Sequence, residues 1–186
     1  MSELCGLFPG GCRAFEFGSG RSTHALRGAA SSVVTVENSG EWLARTEADE
    51  PSKRERDRIF VIPLRRLWNR GRLIESFALS QEPSAQDLLR QSDVVLVDSP
   101  PNPAKREHAL FTALASAAIG AVIVIDDLEV RAVHRFVHRL AAQNRDTFRF
   151  WYLPMDHQLG VFLKIARRKI RSRPTLREFV GTWLRV

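Results

Sequence analysis

The chain has 186 residues, of which 44% are apolar and 26% charged, and it carries a formal net charge of +7. That length predicts one domain with enough apolar residues for a substantial core. The composition leaves no room for a membrane span: the longest clean apolar run, Ala117 to Ile125, is far too short to cross a bilayer.

The opening MSELCGLFPGGC lacks the basic and apolar regions of a signal peptide. Its two cysteines, Cys5 and Cys12, make neither a disulfide framework nor a zinc site. They are expected to be reduced thiols, and the protein to be cytoplasmic. The isoelectric point is near 10.4. Nearly all the positive charge is arginine, and it concentrates in KIARRKIRSR, Lys164 to Arg173, which holds no acid. Such a run favours acidic partners: nucleic acid, an anionic glycan or a membrane surface.

Taken in chain order, β-rich runs alternate with helical ones. Ala14–Phe17 reads as a strand ending at Gly18, and Ser19–Ala30 as a short helix. Val33–Glu37 is a second strand and Gly40–Ala48 a helix. The charged run Glu47–Arg58 reads as an exposed loop and Ile59–Pro63 as a third strand. Leu64–Ser80 is ambiguous and has room for an extra hairpin; Ala85–Gln91 is a short helix. DVVLVD, Asp93–Asp98, is a continuous apolar strand broken by SPPNP, and a helix is predicted over Ala104–Ala118. Gly120–Asp127 is another buried strand. Over Leu128–Gln143, Val130, Val133, Val137 and Leu140 recur at helical spacing and form one core-facing stripe. Thr147–Pro154 and Leu159–Arg167 read as two strands separated by four residues. A parallel crossover needs a dozen or more residues, so these two must be antiparallel.

Continuous apolar strands between helices imply a parallel sheet covered on both faces. The predicted fold is α/β, three-layered and doubly wound. Its mostly parallel sheet has seven strands, with one antiparallel strand near the edge.

In an open sheet of this kind, ligands sit at the carboxyl ends of the strands where strand order reverses. FEFGSGRST, Phe15–Thr23, lies at such an end. Gly18 and Gly20 allow a tight turn and a close backbone approach, and Ser22 and Thr23 sit where they can help cap the next helix. Glu37 ends the second strand and is suited to accept hydrogen bonds from a ribose diol. Glu16 would repel a pyrophosphate but attract a cationic amino acid group. The competing dinucleotide fingerprint G-x-G-x-x-G fails here because its third glycine position is Thr23.

The order EFGSG, VVTVENSGEW, DVVLVDSPP, GAVIVIDD resembles the class I S-adenosylmethionine (SAM)-dependent methyltransferases, as does the terminal antiparallel pair. The resemblance spans roughly Arg13 to Arg167. It implies a Rossmann-like SAM-dependent methyltransferase domain over residues 1–167. By it, Glu16, Gly18, Ser19 and Gly20 contact the methionine part of SAM, with Ser22 and Thr23 in the same turn. Glu37 holds the ribose, and Asn38 and Trp42 lie near the adenosine. Asp98 falls at the far side of the same site.

Asp98, Asp126 and Asp127 end neighbouring strands, where three carboxylates repel unless something positive joins them. The arrangement is similar to catechol O-methyltransferase and its cation-dependent relatives, which hold Mg²⁺ on acids after the fourth and fifth strands. That similarity implies Mg²⁺ on Asp98, Asp126 and Asp127, orienting an acceptor hydroxyl. The alternative is that Asp98 meets SAM or a substrate amine and Asp127 caps the next helix. The lysine base those enzymes carry three residues after the first acid is Pro101 here, which leaves Lys105 or His108 as its substitute. DSPPNPAKREHAL also loosely resembles a D-G-P…R segment of polysaccharide-modifying methyltransferases, by which Arg106 braces the loop against Asp98.

His134 and His138 share their helix side with Arg131, Arg135 and Arg139, a pattern expected for a solvated basic face. Trp151 and Tyr152 are expected in core or strand-edge packing, Trp68 at the surface or in packing, and His157 in the last turn. Residues 168–186 read as a basic linker and an amphipathic helix bearing Leu176, Phe179, Val180, Trp183 and Leu184. This tail fits a sheet edge, a homodimer contact or an anionic membrane, with dimer or intramolecular packing preferred. The expected activity is O-methylation of a small molecule or glycan. An RNA or other macromolecular acceptor and a non-catalytic SAM-binding module are the alternatives.

Overall fold

Apolar residues at every position of a strand require cover on both of its faces, and the central strands are built that way. A computed structural model describes residues 5–6, 8, 11–49, 55–69, 72–154 and 158–171. β1 (Arg13–Phe17), β2 (Ser32–Glu37), β6 (Val94–Val97) and β7 (Val122–Ile125) are buried along nearly their whole length. With β3 (Arg58–Val61), β8 (Phe148–Leu153) and β9 (Leu159–Lys164) they form one seven-stranded sheet in the order β3-β2-β1-β6-β7-β9-β8. β1, β2, β3, β6 and β7 are mutually parallel. β9 alone runs against its neighbours β7 and β8. The predicted doubly wound sheet with one reversed strand near the edge is therefore the observed one.

Side chains alternate between two apolar layers. Phe15, Phe17, Val95, Val97, Ile123 and Ile125 point to one face. There they meet α3 (Pro83–Gln91), α4 (Glu107–Ser116) and α5 (Arg131–Gln143). Ala14, Val94, Leu96, Val122 and Val124 point to the other, under Leu26 and Ala30 at the end of α1 (Arg21–Ala29). The α5 stripe is as expected, with Val133, Val137 and Leu140 buried and Phe136 added to it. Each such side chain contributes about 1.5–3 kcal/mol on burial. α2 (Gly40–Asp49) follows β2.

Several local expectations are corrected. Cys5 and Cys12 are not free thiols: they form a disulfide with Cα atoms 5.2 Å apart, and both are buried in the α1-side layer. The cysteine argument for a reducing compartment therefore falls away. The charged run Glu47–Arg58 is not all loop, because α2 runs to Asp49 and β3 begins at Arg58; residues 50–54 lie outside the described residues. Asp57 is buried, where it accepts the Val33 N–H at 3.0 Å and pairs with Arg27 at 3.4 Å. The single helix predicted from Ala104 is a short 3₁₀ turn, Pro103–Lys105, followed by α4. Arg139 does not share the solvated face of α5; it is buried and paired with Glu107. Of the two alternatives for Trp151 and Tyr152 the core one is excluded: both lie on the edge strand β8 and are exposed there. The ambiguous stretch does hold the extra hairpin: β4 (Leu64–Asn69) and β5 (Arg72–Phe77) pair as a separate two-stranded sheet. The Trp68 side chain, His157 and residues 172–186 lie outside the described residues.

Among the described residues no helix is long and apolar enough to cross a membrane.

Candidate functional site

Strand order reverses between β1 and β6, and that switch point is where an α/β sheet opens a crevice at its carboxyl end. The three strand ends are stitched together there. The Gly18 N–H donates to Val36 O at 2.8 Å, and the Asp98 N–H donates to Phe17 O at 3.1 Å. Above them lies a cleft of about 430 Å³ lined by Gly18, Ser19, Glu37, Asn38, Trp42 and Asp98, with Ser39, Ser99 and Pro101 completing the wall.

Gly18 has a positive φ of 98°, which residues with a Cβ rarely adopt. A Cβ there would also lie 2.7 Å from the Ser99 Cβ. Gly18→Ala is therefore expected to cost about 1–3 kcal/mol in strain and displacement of the Asp98 loop. Urea unfolding checks this, and an unchanged midpoint would contradict it. At Gly20 an added Cβ meets nothing within 4 Å, so the turn leaves open space. Thr23 Oγ1 accepts the Gly20 N–H at 2.9 Å, which satisfies an exposed donor at the start of α1.

Glu37 is the electrostatic centre of the cleft. One carboxylate oxygen accepts the Ser19 N–H at 2.9 Å and the Ser19 hydroxyl at 3.1 Å. The other accepts the N–H groups of Asn38 at 2.6 Å and Ser39 at 2.9 Å. Four donors fix the carboxylate in direction. Ser39 also caps α2, its hydroxyl accepting the Trp42 N–H at 3.1 Å. The Trp42 indole donates to Ser19 O at 2.7 Å, and its half-exposed ring forms a wall of the cleft.

Glu16 is placed differently from its neighbours. It is 0% exposed, beneath the β1–α1 turn, and is not on the cleft wall. Its carboxyl accepts the Thr35 hydroxyl at 2.7 Å, with the Ser22 hydroxyl at 3.5 Å. Burial pushes its pKa up to about 7, against the hydroxyls of Thr35 and Thr23 and the charge of Arg27, with Asp98 adding to the rise. Glu16, Gly20, Ser22 and Thr23 thus build the turn, whereas Gly18, Ser19, Glu37, Asn38, Trp42 and Asp98 face the cleft.

The acidic cluster is bridged by a side chain. The Arg106 guanidinium pairs with Asp98 at 3.0 Å and Asp127 at 2.9 Å, and it donates to Pro100 O at 3.2 Å. Asp126 accepts the Asp127 N–H at 2.8 Å, where Asp127 takes a φ of 60°. Among the described residues no group of three or more His, Cys, Asp or Glu side chains is arranged to hold a metal ion. The donor set does not fit Mg²⁺ as it stands, because the guanidinium supplies the positive charge that Asp98 and Asp127 require. Asp127 also does not cap α5 with its carboxylate; that carboxylate is committed to Arg106.

Lys105 and His108 turn toward the hairpin. Lys105 pairs with Glu75, and His108 Nδ1 lies 3.1 Å from the Ser76 hydroxyl. Burial lowers the His108 pKa, against the charge of Glu107. Neither lines the cleft. His134 and His138 stack 4.1 Å apart on the exposed side of α5.

No family model matches the sequence, and no curated protein matches it significantly. Its architecture, in contrast, is similar to solved methyltransferases. The O-methyltransferase from Bacillus cereus, crystallised with S-adenosylhomocysteine (SAH), aligns over 88% of this chain and 80% of its own, with a TM-score of 0.61 and 19% identity. The O-methyltransferase of tomaymycin synthesis from Streptomyces achromogenes, in complex with SAM, aligns over 89% and 79%, with 0.58 and 21%. An rRNA methylase from Streptococcus thermophilus aligns over 88% and 92%, with 0.58 and 15%. At these identities the likeness is one of fold: the chain has the class I SAM-dependent methyltransferase fold.

Proposed function

We propose that the protein is a SAM-dependent methyltransferase acting on an oxygen of a small-molecule or glycan acceptor. The observation that carries the reading is Glu37, a carboxylate fixed by four donors on the wall of a cleft at the switch point. The open space at Gly20 and the cleft volume fit a nucleoside-sized group with an amino acid tail. Likeness to structures holding SAM or SAH supports the same ligand.

In this reading the Ser19 hydroxyl turns away from Glu37 so that the carboxylate receives the ribose hydroxyls, and Trp42 flanks the base, held in direction by Ser19 O. The Gly18–Gly20 backbone admits the methionine part, and the Glu16 charge beneath the turn favours its ammonium. SAM, when bound, supplies a sulfonium methyl for in-line transfer. Asp98 is the cleft-facing group nearest to an acceptor role, and Arg106 fixes its orientation. Lys105 and His108, the candidate bases from sequence, contact Glu75 and Ser76 of the hairpin, which favours a role in holding the hairpin to the 3₁₀ turn and α4 over one as base. Positioning supplies most of the acceleration in such a transfer.

Calorimetric titration with SAH tests this, with NAD as the discriminating control. Micromolar SAH binding is expected, and Glu37→Ala is expected to weaken it by about tenfold or more, equivalent to about 1.4 kcal/mol. Binding of NAD but not SAH would replace the reading with a dinucleotide-dependent one. SAH binding without turnover of any acceptor would point to a non-catalytic module.

A further inference from the structure

The end of the sheet opposite the cofactor cleft has chemistry that methyl transfer does not use. The carboxyl ends of α3 and α4 and the chain leaving β9 come together there. They line a groove of about 610 Å³ whose charged residues are Arg90, Lys164, Arg167, Arg168 and Lys169, with no acid. Not all of that charge is available. Lys164 donates inward to Leu114 O at 2.9 Å and Ala115 O at 3.2 Å, capping α4. Arg168 pairs with Asp146 at 3.0 Å, and Arg90 with Asp87. Arg167 and Lys169 are exposed and make no ion pair among the described residues. Burial, and after it the charge of Arg167, lowers the pKa of Lys164.

Two large apolar side chains stand at this end as well. Ile119, in the turn before β7, is 55% exposed, and Ile165, just after β9, is 37% exposed. The Gly120 N–H donates to Lys164 O at 2.8 Å, which keeps the two isoleucine-bearing segments adjacent. Cations without an ion pair among the described residues, beside exposed aliphatic groups, match the two layers of an anionic bilayer surface: phosphate-bearing headgroups outside, acyl chains beneath. A nucleic acid offers the charge but nothing for the isoleucines.

We infer that this end of the molecule docks on an anionic lipid membrane, leaving the cofactor cleft facing away from it. The test is co-sedimentation of the full chain with vesicles of phosphatidylcholine containing about one third phosphatidylserine. Binding to these and not to pure phosphatidylcholine is expected, weakening as salt rises from about 0.1 to 0.5 M. Arg167→Glu with Lys169→Glu is expected to lower affinity by more than about tenfold. Ile119→Ser, which leaves charge untouched, is expected to lower it by about threefold. Equal binding to both vesicle types, or to neither, would overturn the inference. So would retention of single-stranded RNA by a protein that ignores vesicles. SAH affinity measured on the same variants should not change, so this inference and the cofactor reading stand or fall separately.

Discussion

Glu16→Gln is expected to remove a pH dependence of stability worth about 3 kcal/mol. The carboxyl is fully buried and its pKa rises from 4.5 to about 7. A native-state pKa above the unfolded value means that the folded protein holds the proton more tightly. The stabilisation is complete below about pH 4.5 and is lost as pH rises through about 7. A shift of this size corresponds to about 3 kcal/mol. Glutamine stays neutral and keeps an oxygen to accept the Thr35 hydroxyl. Urea unfolding from about pH 5 to 8.5 should show the two proteins nearly equal at the acid end, with the variant the more stable above pH 7. Parallel curves would show that Glu16 does not titrate in this window. Because the anion favours a bound ammonium, the same variant should bind SAH about tenfold more weakly near pH 8. The wild type would then give up stability at higher pH for a charge useful in binding.

Arg106→Met is expected to destabilise the fold by about 3 kcal/mol. The Arg106 side chain is 5% exposed and joins Asp98 to Asp127. Removing one partner of a buried ionic group leaves its counter-charges uncompensated, at about 3–5 kcal/mol. The Asp98 side chain is 37% exposed, so solvent screening puts the cost at the lower end. For a chain of this size that corresponds to a fall of about 10 °C in the thermal midpoint. Adding Asp98→Asn and Asp127→Asn should recover most of the loss, because no charge is then stranded. If the triple variant is no better than the single, packing rather than charge is what Arg106 supplies. Magnesium should leave the wild-type midpoint within about one degree, since the carboxylates it would need are already paired.

What the sequence shows and hides follows from the range of the interactions involved. Strand positions were legible because continuous apolar runs such as VVLV and VIVI have one physical solution, a strand buried on both faces. The reversed strand was legible because four residues cannot make a parallel crossover. Glu37 was legible because its place at a strand end is a matter of chain order. The metal expectation failed for the opposite reason. Three acids at adjacent strand ends signal a need for positive charge but not its source, and that source lies eight residues beyond Asp98 on the far side of a proline-rich loop. The separation of Glu16 from the cleft wall follows from the alternation of β1, which sends Phe15 and Phe17 to one face and Glu16 to the other, beside Thr35 of β2. Ser39 as a cleft residue and helix cap could have been found, since a serine three residues before Trp42 at a helix start is a local signal.

The placing of β9 bears on how the chain is made. β9 lies between β7 and β8, yet it is the last described strand to leave a ribosome. Until residues 159–164 emerge, β7 has a bare edge and β8 has no neighbour, because among the described strands β8 bonds only to β9. Five of the seven strands can assemble during synthesis, but the sheet closes only when the reversed strand slides into its gap. A nascent chain halted before Leu159 would expose Val122–Ile125 as an unpaired apolar edge, the kind of surface that chaperones and proteases recognise.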